Sequence, residues 1–163
     1  MIRIGQSTDI HQLKAGKGLK IGGILIPCDF EAVAHSDGDV LLHAISEAIL
    51  GALGEGDLGE HFSDQNSKYK NYDSKEILKY VKEIMMHKGY EIVNIDSLVL
   101  LEKPKLSSYK KMIRENIAQI LNLTSDLVNI KATTGEKVDA IGRSEAIVCE
   151  AVVLLQKRSQ HYE

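Results

Sequence analysis

Four short stretches carry residue types that can do chemistry together. Asp9-Ile10-His11 sets a carboxylate and an imidazole two positions apart. In an extended segment, residues i and i+2 face one side, so both can reach one metal ion. The stretch His35-Ser36-Asp37-Gly38-Asp39-Val40-Leu41-Leu42-His43 packs two His and two Asp into nine residues, with Asp39 and His43 one helical turn apart. Asp9, His11 and His43 together would supply one carboxylate and two imidazoles. Three protein ligands with a fourth position open form the donor set of a catalytic zinc, and the same donors suit Mn²⁺ or Fe²⁺. A plainer reading of each stays open: Asp9 in a surface turn, His43 as a hydrogen-bonded structural histidine.

The third stretch, Gly56-Asp57-Leu58-Gly59-Glu60-His61-Phe62-Ser63-Asp64, offers glycines for close backbone approach and carboxylates that can bind hydroxyls or order a metal-bound water. A solvated acidic loop would read the same way. The fourth, Lys131-Ala132-Thr133-Thr134-Gly135-Glu136-Lys137, has hydroxyls, amides and a cation for phosphate oxygens. Its carboxylate suits Mg²⁺ on the same phosphates. There is no GxxxxGK[ST] loop and no persuasive Ser/His/Asp or Cys/His nucleophile. The set as a whole suggests a di- or polyphosphate substrate.

Hydrophobic periodicity supplies the elements that must position these groups. The sequence predicts a short strand at 2–4, then a hairpin over 19–26 around Gly22-Gly23, closed by Pro27. Val40, Leu41, Ala44, Ile45, Ala48, Ile49, Ala52 and Leu53 form one apolar stripe, so a helix is expected over 37–53, with Asp37 as N-cap and Gly54 as stop. A polar loop of 54–71, long enough to suggest function, leads to a helix over 74–87. A strand at 90–101, a turn at Lys103-Pro104-Lys105, a helix at 106–121 and strands at 127–133 and 145–155 complete the chain, with 157–163 expected to fray. This order implies an α/β fold of the α+β type in one domain, 1–163. The expected sheet is mixed and mostly four-stranded, with helices on one face and a small N-terminal hairpin.

Composition narrows the function class. The chain has 163 residues, 20 Lys+Arg against 23 Asp+Glu, and a net charge of −3. Mild acidity, 5% aromatic residues and no Trp argue against nucleic-acid binding. No apolar run is long enough to span a membrane and no secretory signal is visible. Cys28 and Cys149 sit in apolar runs and read as buried free thiols, which fits a cytoplasmic location.

The segments HSDGDVLLHAISEAILGALGEGDLGEHFSD, KATTGEK and IGRSEAIVCEAV, with DIH near the start, strongly resemble the 2-C-methyl-D-erythritol 2,4-cyclodiphosphate synthases. The resemblance implies an enzyme of non-mevalonate isoprenoid biosynthesis, a phosphorus–oxygen lyase. It would cyclise 4-diphosphocytidyl-2-C-methyl-D-erythritol 2-phosphate and release CMP. It implies zinc at Asp9, His11 and His43, and Mg²⁺ or Mn²⁺ at Glu136. It implies catalytic roles for His35, Thr134 and Glu136, and phosphate contacts from His35 and Ser36. Asp57, Leu58, Gly59, Phe62 and Asp64 would bind the methylerythritol portion. The stretch 101–106, with Leu101, Lys103, Pro104, Lys105 and Leu106, would hold cytosine, and Thr133 would lie near the diphosphate. Arg143 would present a cation near a three-fold axis, because the family is a homotrimer with active sites between subunits. Departures stand at Thr8, Ser63, Gly135 and Ala140. Gly135 is expected to loosen its turn, and Thr8 and Ala140 weaken the expectation of a hydrophobic central cavity. Competing readings are a metal-dependent phosphohydrolase and a non-catalytic oligomer that binds metal and nucleotide.

Overall fold

In the computed structural model, which describes residues 1–63 and 65–159, the first element is the longest. Strand β1 (Ile2–Ala15) spans fourteen residues where the sequence predicted three. Its buried side carries Gly5, Ser7 and Leu13, with Asp9 and His11 half-buried between them. The apolar alternation that announces a strand is therefore missing from that side. The opposite side exposes Ile2, Ile4 and Ile10, at 68%, 70% and 59%.

The hairpin forms as expected. Strand β2 (Gly18–Ile21) pairs with β3 (Ile24–Pro27), and Gly22 and Gly23 take the positive φ values, 60° and 79°, that a two-residue turn demands. Strand β4 (Phe30–Val33) then returns beside β1, pairing from Gln12↔Val33 to Ala15↔Phe30. It is a fifth strand and corrects the four-stranded expectation. Four residues are too few to show a period, and the ladder to β1 defines this strand.

Helix α1 (Val40–Leu53) follows, then a short α2 (Leu58–His61) inside the expected loop, and α3 (Ser74–His87). Strand β5 (Tyr90–Leu100), α4 (Lys110–Leu121), β6 (Val128–Thr133), the one-turn α5 (Asp139–Gly142) and β7 (Ala146–Lys157) complete the order. The sheet runs β4-β1-β7-β5-β6, with β5 and β6 parallel and the other pairs antiparallel. Ile147, Cys149, Ala151, Val153 and Leu155 of β7 are buried on the side where α1 packs, while Glu150 and Val152 lie on the open face. The fold is thus α/β, a five-stranded mixed sheet with a separate hairpin. Among the described residues, no helix is long and apolar enough to cross a membrane.

Three of the boundary differences have structural consequences. Helix α4 starts at Lys110 rather than 106. Strand β7 runs through Lys157, whose amide donates to Met1 O at 2.9 Å, and Arg158 N donates to Gly89 O at 2.9 Å. The expected tail therefore does not include 157 and 158, and 160–163 lie outside the described residues. The third concerns the N-cap of α1, which is Asp39 and not Asp37.

Fully buried, Asp39 accepts from Leu42 N at 3.0 Å, Gly22 N at 2.9 Å and Gly23 N at 2.6 Å. One carboxylate thus caps α1 and clamps the hairpin turn against it. Truncation would leave three amides without their acceptor. Asp39→Ala is expected to cost about 2 kcal/mol or more in urea unfolding. A wild-type midpoint would show that the clamp adds no stability.

Candidate active site

Packing of α1 on β1 brings His43 to Asp9 and His11. Asp9 Oδ2 lies 3.4 Å from His43 Nδ1 and 3.8 Å from His11 Nε2. One donor atom from each residue falls within 4.8 Å of the other two, and no other His/Cys/Asp/Glu trio among the described residues does this. The imidazoles meet at right angles, with centroids 5.7 Å apart. Burial lowers the pKa of His11 against the pull of Asp9. Burial acts the same way on His43, but the facing Asp9 carboxylate outweighs it, and the pKa is raised.

The three residues line a cavity of about 250 Å³ with His35, Ser36, Glu47, Leu58, Gly59, Phe62, Tyr69, Tyr72 and Ile77. Three buried atoms at this site, Asp9 Oδ2, His11 Nδ1 and His35 Nε2, have no hydrogen-bond partner. Two imidazole nitrogens facing an unpartnered carboxylate oxygen are the arrangement that a cation satisfies. The donor set therefore fits a divalent transition metal.

Aromatic packing closes one wall. Phe62 meets Tyr69, Tyr72 and Tyr80 with centroids 5.2, 6.0 and 5.1 Å away. The far end of this loop is stitched to the His35 segment, with Asn71 N donating to His35 O and Asp37 N to Tyr72 O. Its near end is held by Glu47, which accepts from Ser7 Oγ at 2.7 Å and Leu58 N at 3.3 Å. Glu47 was not foreseen, although it sits one helical turn from His43 and shares its face. Tyr69 and Tyr72 carried no periodic signal.

A second cavity of about 210 Å³ is lined by Leu101, Glu102, Pro104, Lys105, Leu106, Ser107, Lys110, Ala132, Thr133 and Thr134. It shares no lining residue with the first. Of the expected site residues, Asp57, Lys103, Glu136 and Arg143 line neither, and Arg143 pairs with Glu145 at 3.0 Å. Asp57 caps α2 by accepting from Glu60 N at 3.0 Å. Asp64 lies outside the described residues.

The turn after β6 is not loosened by Gly135. A Cβ there would stand 2.6 Å from Gly142 N, and Gly135 N donates to Glu102 Oε2 at 3.0 Å. Glycine permits this close backbone approach. The next two residues, Glu136 and Lys137, hold left-handed backbone at φ 51° and 61°. Non-glycine residues in that region are costly and cluster at functional sites. Both cysteines are free, with Cys149 buried and Cys28 only half-buried.

Comparison with known proteins agrees with this geometry. A profile of the YgbB family matches residues 2–156. The 2-C-methyl-D-erythritol 2,4-cyclodiphosphate synthase of Geobacillus sp. (strain WCH70) is 48% identical over 158 residues, covering 97% of this chain and all of that one. The fold superposes on the bifunctional IspDF from Campylobacter jejuni with a TM-score of 0.92 and 39% identity, over 96% of this chain and 42% of that one. It also superposes on a CDP complex of IspF from Plasmodium falciparum with a TM-score of 0.86 and 37% identity, over 97% of each. The chain belongs to the YgbB family and has the lyase activity of its 2-C-methyl-D-erythritol 2,4-cyclodiphosphate synthases, in the non-mevalonate route to isoprenoids.

Proposed function

We propose that residues 1–163 form one synthase domain in which Asp9, His11 and His43 hold zinc and Glu136 holds Mg²⁺ or Mn²⁺. The observation that carries this reading is the unpartnered Asp9 Oδ2 facing two imidazoles at the floor of a cavity. Divalent cations at these sites would offset the repulsion between phosphates and spread charge as the bond changes hands.

The chain's own residues do the orienting. Ser36 Oγ accepts from Gly38 N at 3.2 Å, which leaves its hydroxyl proton to donate to a phosphate oxygen. His35 Nε2, buried beside it without a partner, can donate to the same group. Leu58, Ile77 and Phe62 give an apolar wall for the methylated carbon chain, and Gly59 lets the backbone approach. Asp57 and Asp64 are assigned to the hydroxyls. In the second cavity, Leu101, Pro104, Lys105 and Leu106 would hold cytosine, with Lys103 next to them in the chain, and Thr133 and Thr134 the phosphates of the cytidine diphosphate group. That the P. falciparum relative is a CDP complex supports a cytidine diphosphate site in this chain. Glu136 carries its carboxylate near Thr134, whose hydroxyl donates to it at 3.3 Å, and it suits a cation shared with phosphates.

In the reaction, the substrate's 2-phosphate oxygen attacks the β-phosphorus and CMP departs. No protein nucleophile is needed. Holding attacking and leaving groups in line can supply roughly 7–11 kcal/mol of the barrier, and the loop wall keeps competing water out.

Separate cavities support a homotrimer with sites between subunits, each pairing one chain's metal pocket with a neighbour's cytidine pocket. The open sheet face, with Ile4 70% and Ile10 59% exposed, is the kind of apolar surface that oligomers cover. Arg143 would stand near the three-fold axis. Two free thiols, one of them half-buried, support a reducing, cytoplasmic location.

Mixing His43→Ala and Glu136→Gln subunits, each inactive alone, tests the assembly. A shared site is expected to recover about a quarter of wild-type CMP and cyclic diphosphate formation. No recovery on mixing would place both residues in the same site of one chain.

A further inference from the structure

The geometry points to Ser74 and Asp37 as a positioning pair that fixes the His43 ring for metal binding. The inference rests on the proposed reading of Asp9, His11 and His43 as ligands. Ser74 Oγ lies 2.8 Å from His43 Nε2, while Nδ1 of the same ring faces Asp9. Ser74 Oγ also donates to Asp37 Oδ1. A carboxylate can only accept, so the single hydroxyl proton of Ser74 is committed to Asp37. The serine oxygen therefore turns a lone pair toward the imidazole, and Nε2 must carry hydrogen. Nδ1 is left with its lone pair directed at the ligand position, the tautomer a metal requires.

Other groups hold the pair in this state. Asp37 accepts from Lys20 Nζ at 2.9 Å, Ser74 N at 3.1 Å and Asp39 N at 3.2 Å, so its acceptor role is fixed from three sides. Ser74 is fully buried and opens α3, so its hydroxyl has no solvent to turn to. Ser36 Oγ also approaches Nε2, but at 3.3 Å against 2.8 Å for Ser74, and its hydroxyl proton is the one assigned to a phosphate oxygen. The chain of contacts crosses from β2 to the turn before α1 and on to the first residue of α3. The end of the loop over the cavity is thereby tied to a metal ligand.

Titration of the metal-free, full-length protein with Zn²⁺ against a chromophoric chelator tests this. Ser74→Ala is expected to weaken zinc binding about 10–100-fold, with the melting temperature of the metal-free protein close to wild type. Ser74→Thr, which keeps the hydroxyl, is expected to bind close to wild type. Asp37→Asn is expected to weaken binding alone and to add nothing on top of Ser74→Ala, because it acts through that hydroxyl. Unchanged affinity in Ser74→Ala, equal losses in the Ala and Thr variants, or independent additive losses would overturn the pair. A wild-type protein that takes up no zinc would instead overturn the ligand reading beneath it.

Discussion

His43→Ala is expected to yield a folded protein that takes up no zinc and turns over substrate at least about a thousandfold more slowly. His43 is the proposed ligand that α1 contributes, and its Nδ1 stands 3.4 Å from Asp9 Oδ2. Truncation leaves one carboxylate and one imidazole, too few donors for a tight transition-metal site. Helix α1 itself should tolerate the change. Alanine has the higher helix propensity, and the stripe of Leu41, Ala44, Ile45, Ala48 and Ile49 that docks the helix is untouched. Metal content, turnover and thermal unfolding measured on one preparation separate the effects. Near-normal turnover in a metal-stripped variant would remove zinc from the chemistry, and loss of the fold would make His43 a structural residue.

Gly5→Ala should damage the fold rather than the chemistry. A Cβ at Gly5 would overlap Ala48 O and stand 2.8 Å from Ala52 N. Both are backbone atoms of α1, so no side chain can rotate away. The helix would have to lift from β1 and β7, opening the core that Ile45, Ile49, Cys149 and Ala151 share. Overpacking of this kind costs about 3 kcal/mol or more, which in a domain of this size lowers the melting temperature by roughly 6–12 °C. Zinc affinity should fall with it, since α1 carries His43. Gly51→Ala is the control: nothing lies within 4 Å of its Cβ, and helix propensity makes it neutral to stabilising. Equal melting of the two variants would show that β1 and α1 do not need their close approach.

Gly5 also explains what could be read from the sequence. Helix α1 was legible because its apolar stripe faces a core and nothing else. Strand β1 was not, because its buried side is given over to a close approach at Gly5, a hydrogen bond at Ser7 and the polar site residues Asp9 and His11. Function had replaced the periodicity. Strand β4 was hidden by its length, and the placement of β7 between β1 and β5 follows from long-range pairing that no local pattern encodes. Within the site, Asp9 and His11 could be paired from their spacing alone. Ser74 could not, since it meets His43 across a gap of 31 residues. Asp37 was read as the cap, although the residue immediately before the apolar run is Asp39. Asp39 takes that role instead, which leaves Asp37 free to hold Ser74.

Crystals grown with zinc and exposed on both sides of its absorption edge give the most direct trial of the metal centre. One anomalous peak per chain is expected, within about 2.0–2.2 Å of Asp9 Oδ2, His11 Nε2 and His43 Nδ1, with a fourth position facing the cavity. Density at full occupancy elsewhere, with nothing between these three atoms, would contradict it.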